Sequence, residues 1–364
     1  MRLKRTIHPV GQGGLYTEVL RNEWNELYIV YDCGGESRSF MSKYLDKMLS
    51  GRQQIDAVFI SHLHADHVNG LEYLLDRIHV RYFFLPQLTD DQLAEAILYN
   101  YYSDAHGSSR LNRFILDLWN EDNQKRGTRI VRVSPYNEET DGFSEALDLL
   151  DEKLISKVIK SGTSLTVGKS WFYMPYNPTV SEDNDKSFLD YIKENLGIKS
   201  TLSPAELPDL VEKYGTQKIR NIYRLYFGSD HNAYSMALFS GIFEPEHVRV
   251  CESCLDPTPY RTTETPNCLY TGDFDCSRYF KDLKSAFNHL WDDIKSVQIP
   301  HHGSKSNFHP GLYSRSVRGF VCVGEQNKYH HPDLKTILGV LEQGCLPVFV
   351  TERESSMKEY EYLV

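Results

Sequence analysis

The sequence predicts an α/β protein, and two observations carry that expectation. Residues 55–85 spell one complete β-α-β unit. Ile55-Asp56-Ala57-Val58-Phe59-Ile60 is a short apolar run, Val68, Leu71, Leu74, Leu75 and Ile78 follow at helical spacing, and Val80-Arg81-Tyr82-Phe83-Phe84-Leu85 closes the unit. Strand-like runs bounded by turn residues occupy about two thirds of the chain, and helical blocks separate them, the alternation expected of layered α/β architecture.

The elements follow in order. Ile7 and Val10 lead into the turn Gly11-Gln12-Gly13-Gly14, and the run Leu27-Tyr28-Ile29-Val30-Tyr31 is closed by Asp32-Cys33-Gly34-Gly35, a hairpin pattern. From Thr89 to about Lys160 the periodicity turns helical, with Leu111, Ile115, Leu118 and Trp119 on one face and a further helix expected around Phe143 to Ile159. Strands are expected at Thr163–Met174, Tyr223–Phe227, Met236–Phe239, Cys268–Gly272, Val297–Pro300, Phe320–Gly324 and Pro347–Thr351. Thr179–Lys218 is charged and helix-prone, and Glu244–Asn267 is loop-rich with several prolines. The reading is a single domain over 1–364, with helical insertions at about 89–160 and 179–220.

Composition narrows the class. At 364 residues, 40% hydrophobic and 25% charged, the chain is neither disordered, collagen-like nor a small disulfide scaffold. Forty basic against fifty acidic residues leave a net charge of −10, so no general field draws it to nucleic acid or an anionic membrane, and any polyanion site is local. The start, Met1-Arg2-Leu3-Lys4-Arg5, is basic without an apolar segment behind it, and no run of about 18 apolar residues follows. A cytoplasmic protein without membrane association is expected. Seven cysteines scattered from Cys33 to Cys345 fit reduced thiols.

Chemistry concentrates after Ile60, in Ser61-His62-Leu63-His64-Ala65-Asp66-His67. Three imidazoles and a carboxylate at a strand exit offer borderline nitrogen and hard oxygen ligands, suited to zinc or manganese. His62 and His64 can share a first metal, and Asp66 and His67, on the next turn, a second. Leu269-Tyr270-Thr271-Gly272-Asp273 ends an apolar run with a carboxylate at a turn tip, where Asp273 can bridge two ions, although a Gly-Asp pair alone is ordinarily just a turn. His301-His302 and His330-His331 also follow apolar runs, and the ordered set makes one coherent site. Cys251-Glu252-Ser253-Cys254 lacks a second pair at zinc-ribbon spacing and reads as an incidental loop. Lys218, Arg220 and Arg224, interleaved with Tyr223 and Tyr226, read as a solvated strand in preference to a strand-binding groove.

On these motifs the chain resembles the metallo-β-lactamase fold, and within it the hydrolase domain of the ComEC-type DNA-uptake competence proteins. The resemblance rests on Val10-Gly11-Gln12-Gly13, Tyr31-Asp32-Cys33-Gly34, Asn232-Ala233-Tyr234-Ser235, Thr271-Gly272-Asp273, His301-His302-Gly303-Ser304 and Tyr329-His330-His331-Pro332. It covers about 7–87, 160–176 and 223–352, leaves the helical insertions unexplained, and includes no membrane channel. Gly14 and His330 depart from the group's pattern. The resemblance implies an αββα sandwich with two divalent metal ions, Zn or Mn. His62 and His64 would hold metal 1, with His231 or Asn232 completing it. Asp66, His67 and His331 would hold metal 2, and Asp273 would bridge. His301 and His302 would donate a proton to the leaving group or stabilise an oxyanion, one of them reaching a metal, with Asp66 and Asp273 orienting the nucleophile. Ser304 and Lys305 would hold a phosphate oxygen.

A dinuclear centre acidifies a bridging water and neutralises a departing oxygen. That chemistry suits a phosphodiesterase or nuclease acting on nucleic acid or a nucleotide, with the net charge favouring a small or single-stranded substrate. Two alternatives stand beside it. One is hydrolysis of a lactam, lactone or thioester on the same metals. The other is a subunit of a multiprotein, phage-defence type system that docks protein partners through the helical insertions.

Overall fold

A computed structural model of the chain describes residues 1–363 except 24, 104–107, 121–126, 139–145, 152–155, 169, 181–185, 228–233, 243–248, 252–264, 315 and 317. The strands among the described residues are β1 (Arg2–Ile7), β2 (Leu15–Arg21), β3 (Glu26–Cys33), β4 (Gln54–Phe59), β5 (His79–Pro86), β6 (Arg129–Val133), β7 (Ala146–Asp148), β8 (Val158–Ile159), β9 (Ser164–Val167), β10 (Trp171–Tyr176), β11 (Ala237–Gly241), β12 (Arg249–Cys251), β13 (Cys268–Tyr270), β14 (Ser296–Gln298), β15 (Arg318–Cys322), β16 (Leu346–Val350) and β17 (Lys358–Leu363). The α-helices are α1 (Arg38–Met48), α2 (Ala65–Val68), α3 (Leu71–Arg77), α4 (Asp90–Ser103), α5 (Ser108–Trp119), α6 (Phe188–Leu196), α7 (Leu207–Tyr214), α8 (Thr216–Phe227), α9 (Cys276–Ala286) and α10 (Leu334–Glu342).

The strands form two mixed sheets, ordered β12-β17-β1-β2-β3-β4-β5-β6-β8 and β16-β15-β14-β13-β11-β10-β9-β7. Three apolar clusters fix the layers. Val30, Val58, Val80 and Phe83 face out of the first sheet against α1, α3 and α4. Tyr16, Tyr31, Phe59 and Phe84 face inward and meet Trp171, Tyr173, Tyr270 and Phe320 of the second sheet. Phe172, Phe239, Leu269 and Val321 face outward from the second sheet toward Leu283 of α9 and Val340 of α10. Alternation along each strand thus feeds two different cores, and the result is the αββα sandwich expected from the sequence.

Three local expectations are corrected. Arg129–Val133, inside the block expected to be helical from Thr89 to about Lys160, is strand β6 paired in parallel with β5, with Val131 and Val133 buried between the sheets. Phe143–Ile159 is not helical where it is described. Ala146–Asp148 and Val158–Ile159 are strands, because Leu147, Leu149 and Ile159 are drawn into the core between the sheets. Tyr223–Phe227 is the end of helix α8 and not a strand, since Ile219, Ile222 and Tyr223 fall at helical spacing and bury one face against the inserted helices. The basic residues Lys218, Arg220 and Arg224 therefore lie on a helix, with the Arg220 guanidinium donating to the carbonyl of Tyr101. Of the Cys251–Cys254 pair, residues 252–254 lie outside the described residues. No helix among the described residues is long and apolar enough to cross a membrane.

Between the sheets sits one buried ion pair. Arg5 Nε donates to Glu18 Oε1 at 2.7 Å, both side chains being almost wholly enclosed. Glu18 also accepts from Tyr270 Oη at 2.8 Å, Tyr173 Oη at 2.9 Å and Ser240 Oγ at 2.6 Å, all from the opposite sheet. Removing one partner of such a pair costs about 3–5 kcal/mol because a charge is left buried alone. Glu18→Gln is expected to lower unfolding free energy by roughly that amount, read as a fall in the urea midpoint at unchanged slope.

Candidate metal centre

The centre lies where strands of both sheets end on the same side of the sandwich, the position at which α/β sheets place their ligands. Parallel strands β3 and β4 bring Asp32 and residues 61–67, and parallel strands β13, β14 and β15 bring Asp273, His301–His302 and Cys322. The two edges are stitched by Met236 N donating to Ser61 O at 2.8 Å and Tyr31 Oη donating to Met236 O at 2.8 Å.

Two clusters of side chains come together, His62–His64–Asp273 and Asp66–His67–His302, each with donor atoms close enough to one another to hold one ion. Asp273 belongs to both by geometry. Its Oδ2 is 3.6 Å from His62 Nε2, while its Oδ1 is 3.1 Å from His67 Nε2 and 4.0 Å from His302 Nε2. Asp66 Oδ2 lies 3.3 Å from His302 Nε2.

Each ring is aimed by a group behind it. Asp32 Oδ2 is 2.8 Å from His67 Nδ1, and the same carboxylate accepts from Ser61 N at 2.7 Å and Ser61 Oγ at 2.8 Å. With its proton given to Asp32, Ser61 Oγ accepts from His62 Nδ1 at 2.9 Å. His302 Nδ1 donates to the carbonyl of Cys322 at 2.9 Å. In all three rings the neighbour engages Nδ1, so a neutral ring carries its hydrogen there and Nε2 faces the centre, the arrangement outer-shell partners impose on metal-binding histidines. Nε2 of His62 and of His67 are buried and make no hydrogen bond, although buried polar atoms rarely go unsatisfied. Aimed, orphaned imidazole nitrogens beside a two-faced carboxylate fit divalent cations.

The electrostatics agree. Burial, reinforced by His67 and His64 alongside, pushes the His62 imidazole well below its usual range, so it is neutral as a ligand must be. His67 goes the other way: burial opposes its charge, but Asp273, Asp32 and Asp66 surround it and raise its pKa well above the ordinary value. Against the cost of burial, His301, His67 and His62 hold the Asp273 carboxyl well below its usual range, and His67 and His302 do the same for Asp66. Three carboxylates around one protonable ring are an excess of negative charge that bound cations would neutralise.

Main-chain geometry at the centre is unusual. Asp32, His301 and His302 all have left-handed backbone, with φ of +56°, +49° and +52°. Gly34 is obligatory for a different reason: a Cβ there would lie 2.2 Å from the carbonyl oxygen of Asp66, backbone that cannot yield.

Several expected residues fall elsewhere. His331 is outside both clusters. It stands beside His301, ring centres 5.5 Å apart, whereas His302, whose Nδ1 is engaged by the Cys322 carbonyl, lies with Asp66 and His67. His301 lies nearer the opening, with Nε2 3.7 Å from Asp273 Oδ2 and Nδ1 2.9 Å from Asn307 Oδ1. Ser304 accepts from Ser306 N, a local turn bond, and Lys305 is exposed. His231 and Asn232 lie outside the described residues.

Residues not singled out from the sequence support the motif. Asn100, buried on α4, accepts from Ala65 N at 2.8 Å, donates to Leu63 O at 3.1 Å and to Asn112 Oδ1 of α5 at 3.0 Å, gripping the backbone on both sides of His64. An amide inside the apolar stretch Ile97-Leu98-Tyr99-Asn100-Tyr101 was the available signal, since a buried polar residue is the informative exception.

With this geometry in hand, the chain can be set beside known proteins. The family described as anti-Pycsar protein Apyc1 matches residues 16–107. That span runs from β2 through the histidine motif and the whole of α4, about a quarter of the chain. No curated protein matches. Among solved structures, the chain is similar to a diphosphatase from the PhnP family (9% identity, covering 100% of this chain and 99% of that one, TM-score 0.42). It is similar also to unliganded yeast PDE1 (9%, 100% and 99%, 0.45). A third similar structure is the metallo-β-lactamase MIM-1 from Novosphingobium pentaromativorans (10%, 59% and 90%, 0.21).

Asn100→Ala removes both main-chain contacts to the motif and leaves the buried Leu63 carbonyl and the half-buried Ala65 amide without their partner, each costing about 1–3 kcal/mol. The expected outcome is a protein destabilised by roughly 3 kcal/mol, whose amide exchange at Ala65 is faster than that of β4, as hydrogen-exchange measurements would read.

Proposed function

We propose that the protein is a dinuclear metal-dependent phosphodiesterase acting on a nucleotide or nucleic acid, with small or single-stranded substrates favoured. The observation that carries this reading is Asp273, whose two oxygens face the two histidine clusters from one buried position. His62, His64 and Asp273 would hold the first ion; Asp66, His67, His302 and the second oxygen of Asp273 would hold the other. Bound zinc or manganese supplies an acidified water and positive charge opposite the leaving oxygen. His231 remains a proposed further ligand of the first ion.

The chain's own residues do the rest. Asn307 Nδ2 donates to the carbonyl of Asp273 at 3.0 Å, so its Oδ1 is the acceptor that fixes hydrogen on His301 Nδ1. A proton delivered from His301 therefore leaves from Nε2, the atom directed at the centre, and His301 is the proposed general acid. Asp66 and Asp273 would hold the ions and in doing so would set where the attacking oxygen sits. His331, whose ring stands beside that of His301, and the exposed Lys305 are proposed to meet the substrate, Lys305 through a phosphate oxygen. The local likeness to a family described as anti-Pycsar supports a phage-defence setting, with the protein acting there as an enzyme. The inserted helices carry a proposed role in bracing the centre, and the likeness to competence-protein domains is a likeness of motifs. A single domain with insertions and a cytoplasmic location complete the proposal.

The test is a screen of zinc- and manganese-loaded protein against single- and double-stranded DNA, RNA, cyclic and linear nucleotides, a phosphodiester reporter, a lactam and a thioester. Phosphodiester hydrolysis with poor lactam turnover is expected. Acyl hydrolysis without phosphodiesterase activity under either metal would replace this reading with the acyl-hydrolase alternative.

The two histidine pairs are separable by variants. His302→Ala is expected to lose one of two ions, and His331→Ala to keep both, by elemental analysis. His301→Ala should keep both ions while losing about 10²–10⁴-fold in rate on a natural phosphodiester. It should lose far less on a reporter whose leaving group needs no proton.

A further inference from the structure

We propose that Glu95, carried on the inserted helix α4, is the positioning carboxylate that aims His64 at the first ion; this rests on the dinuclear reading above. The other three rings are each committed at Nδ1 to a neighbour from the sandwich, namely Ser61, Asp32 and the Cys322 carbonyl. His64 is served from the insertion. Its Nε2 lies 3.8 Å from Glu95 Oε2, longer than a hydrogen bond, with both side chains almost completely buried. One turn along the same helix, Tyr99 stacks on the His64 ring with centres 3.8 Å apart and planes 19° from parallel. The i, i+4 pair on α4 thus contacts the imidazole at one edge and on one face.

Glu95 is itself held. Its Oε1 accepts from Tyr223 Oη at 2.6 Å, and Tyr223 belongs to α8, within the second insertion and just beyond it. A carboxylate inside Leu93-Ala94-Glu95-Ala96-Ile97-Leu98 is expensive to bury, and Tyr223 answers only one of its oxygens. The remaining oxygen faces His64. An Nε2 turned to a carboxylate keeps its hydrogen there and leaves Nδ1, on the other side of the ring, as the nitrogen with a lone pair for an ion. His64 would then bind through the opposite nitrogen from His62, His67 and His302, and the insertions would be part of the metal site.

Full-length wild type, Glu95→Gln and Tyr223→Phe are stripped of metal and titrated with zinc by calorimetry, and each Zn-loaded protein is labelled with ¹⁵N-histidine. Gln keeps an oxygen for Tyr223 and removes only the charge facing His64. The expected result is two ions in wild type. In Glu95→Gln one ion should bind about 10–100-fold more weakly with the other unchanged. A smaller weakening of the same ion is expected in Tyr223→Phe, which carries the test should Glu95→Gln fail to fold. The His64 resonance of wild type should report hydrogen on Nε2. Two ions bound as tightly in Glu95→Gln and Tyr223→Phe as in wild type, or hydrogen on His64 Nδ1, overturns the positioning role while the dinuclear reading stands. A wild type that takes up no zinc overturns both.

Discussion

The candidate centre depends on two sheets being held face to face, because its donors are divided between them. His62, His64, Asp66 and His67 leave the end of β4 in the first sheet, whereas Asp273 and His302 leave β13 and β14 in the second. A slip of one sheet against the other by even an ångström would separate Asp273 from His67, now 3.1 Å apart. Apolar packing alone is non-directional. The buried Glu18 carboxylate, which takes one partner from its own sheet and three from the opposite one, adds the direction that aromatic packing lacks. Such a pair contributes little net stability, and register is the better-attested use of buried polar groups.

A second carboxylate plays the same part at shorter range. Asp32 sits at the end of β3 in left-handed backbone, which turns its side chain across to the neighbouring strand end instead of along its own. From there one carboxylate orders Ser61, through it His62, and directly His67. Left-handed backbone at Asp32, His301 and His302 costs of order 1–3 kcal/mol each. Strain of this kind persists where surrounding contacts over-determine it, and all three residues touch the two clusters.

The β-α-β unit, most strands of the second sheet and the gathering of His62, His64, Asp66, His67 and Asp273 in one place were legible from sequence, because short-range spacing at strand ends is what a sequence displays directly. What was not legible depends on partners far away in the chain. His302 and His331 occupy similar histidine pairs after apolar runs, and only the distant Cys322 carbonyl distinguishes them. Leu147 and Ile159 read as helical by composition, yet the core between the sheets claims them as strand residues. Tyr223–Phe227 reads as a strand by its aromatic content, and the buried i, i+3, i+4 face of α8 overrides that preference. Asp32 was visible as part of a motif, but its outer-shell task required knowing that β3 and β4 lie side by side.

The inserted helices are the part of the chain that sequence motifs explain least, and the structure ties them most closely to the chemistry. An insertion that merely decorated the surface would bury apolar side chains and leave the motif's backbone to the sheets. Here α4 instead sends three side chains from within two turns to one short segment: Glu95 and Tyr99 to the ring of His64, Asn100 to the backbone at Leu63 and Ala65. Asn112 from α5 and Tyr223 from α8 then hold Asn100 and Glu95 in turn. Backbone polar groups at the exit of a strand have lost their ladder partners and must be satisfied by something. In this protein the insertions do it, so the precision of His64 is set from outside the sandwich while the precision of His62 and His67 is set from within.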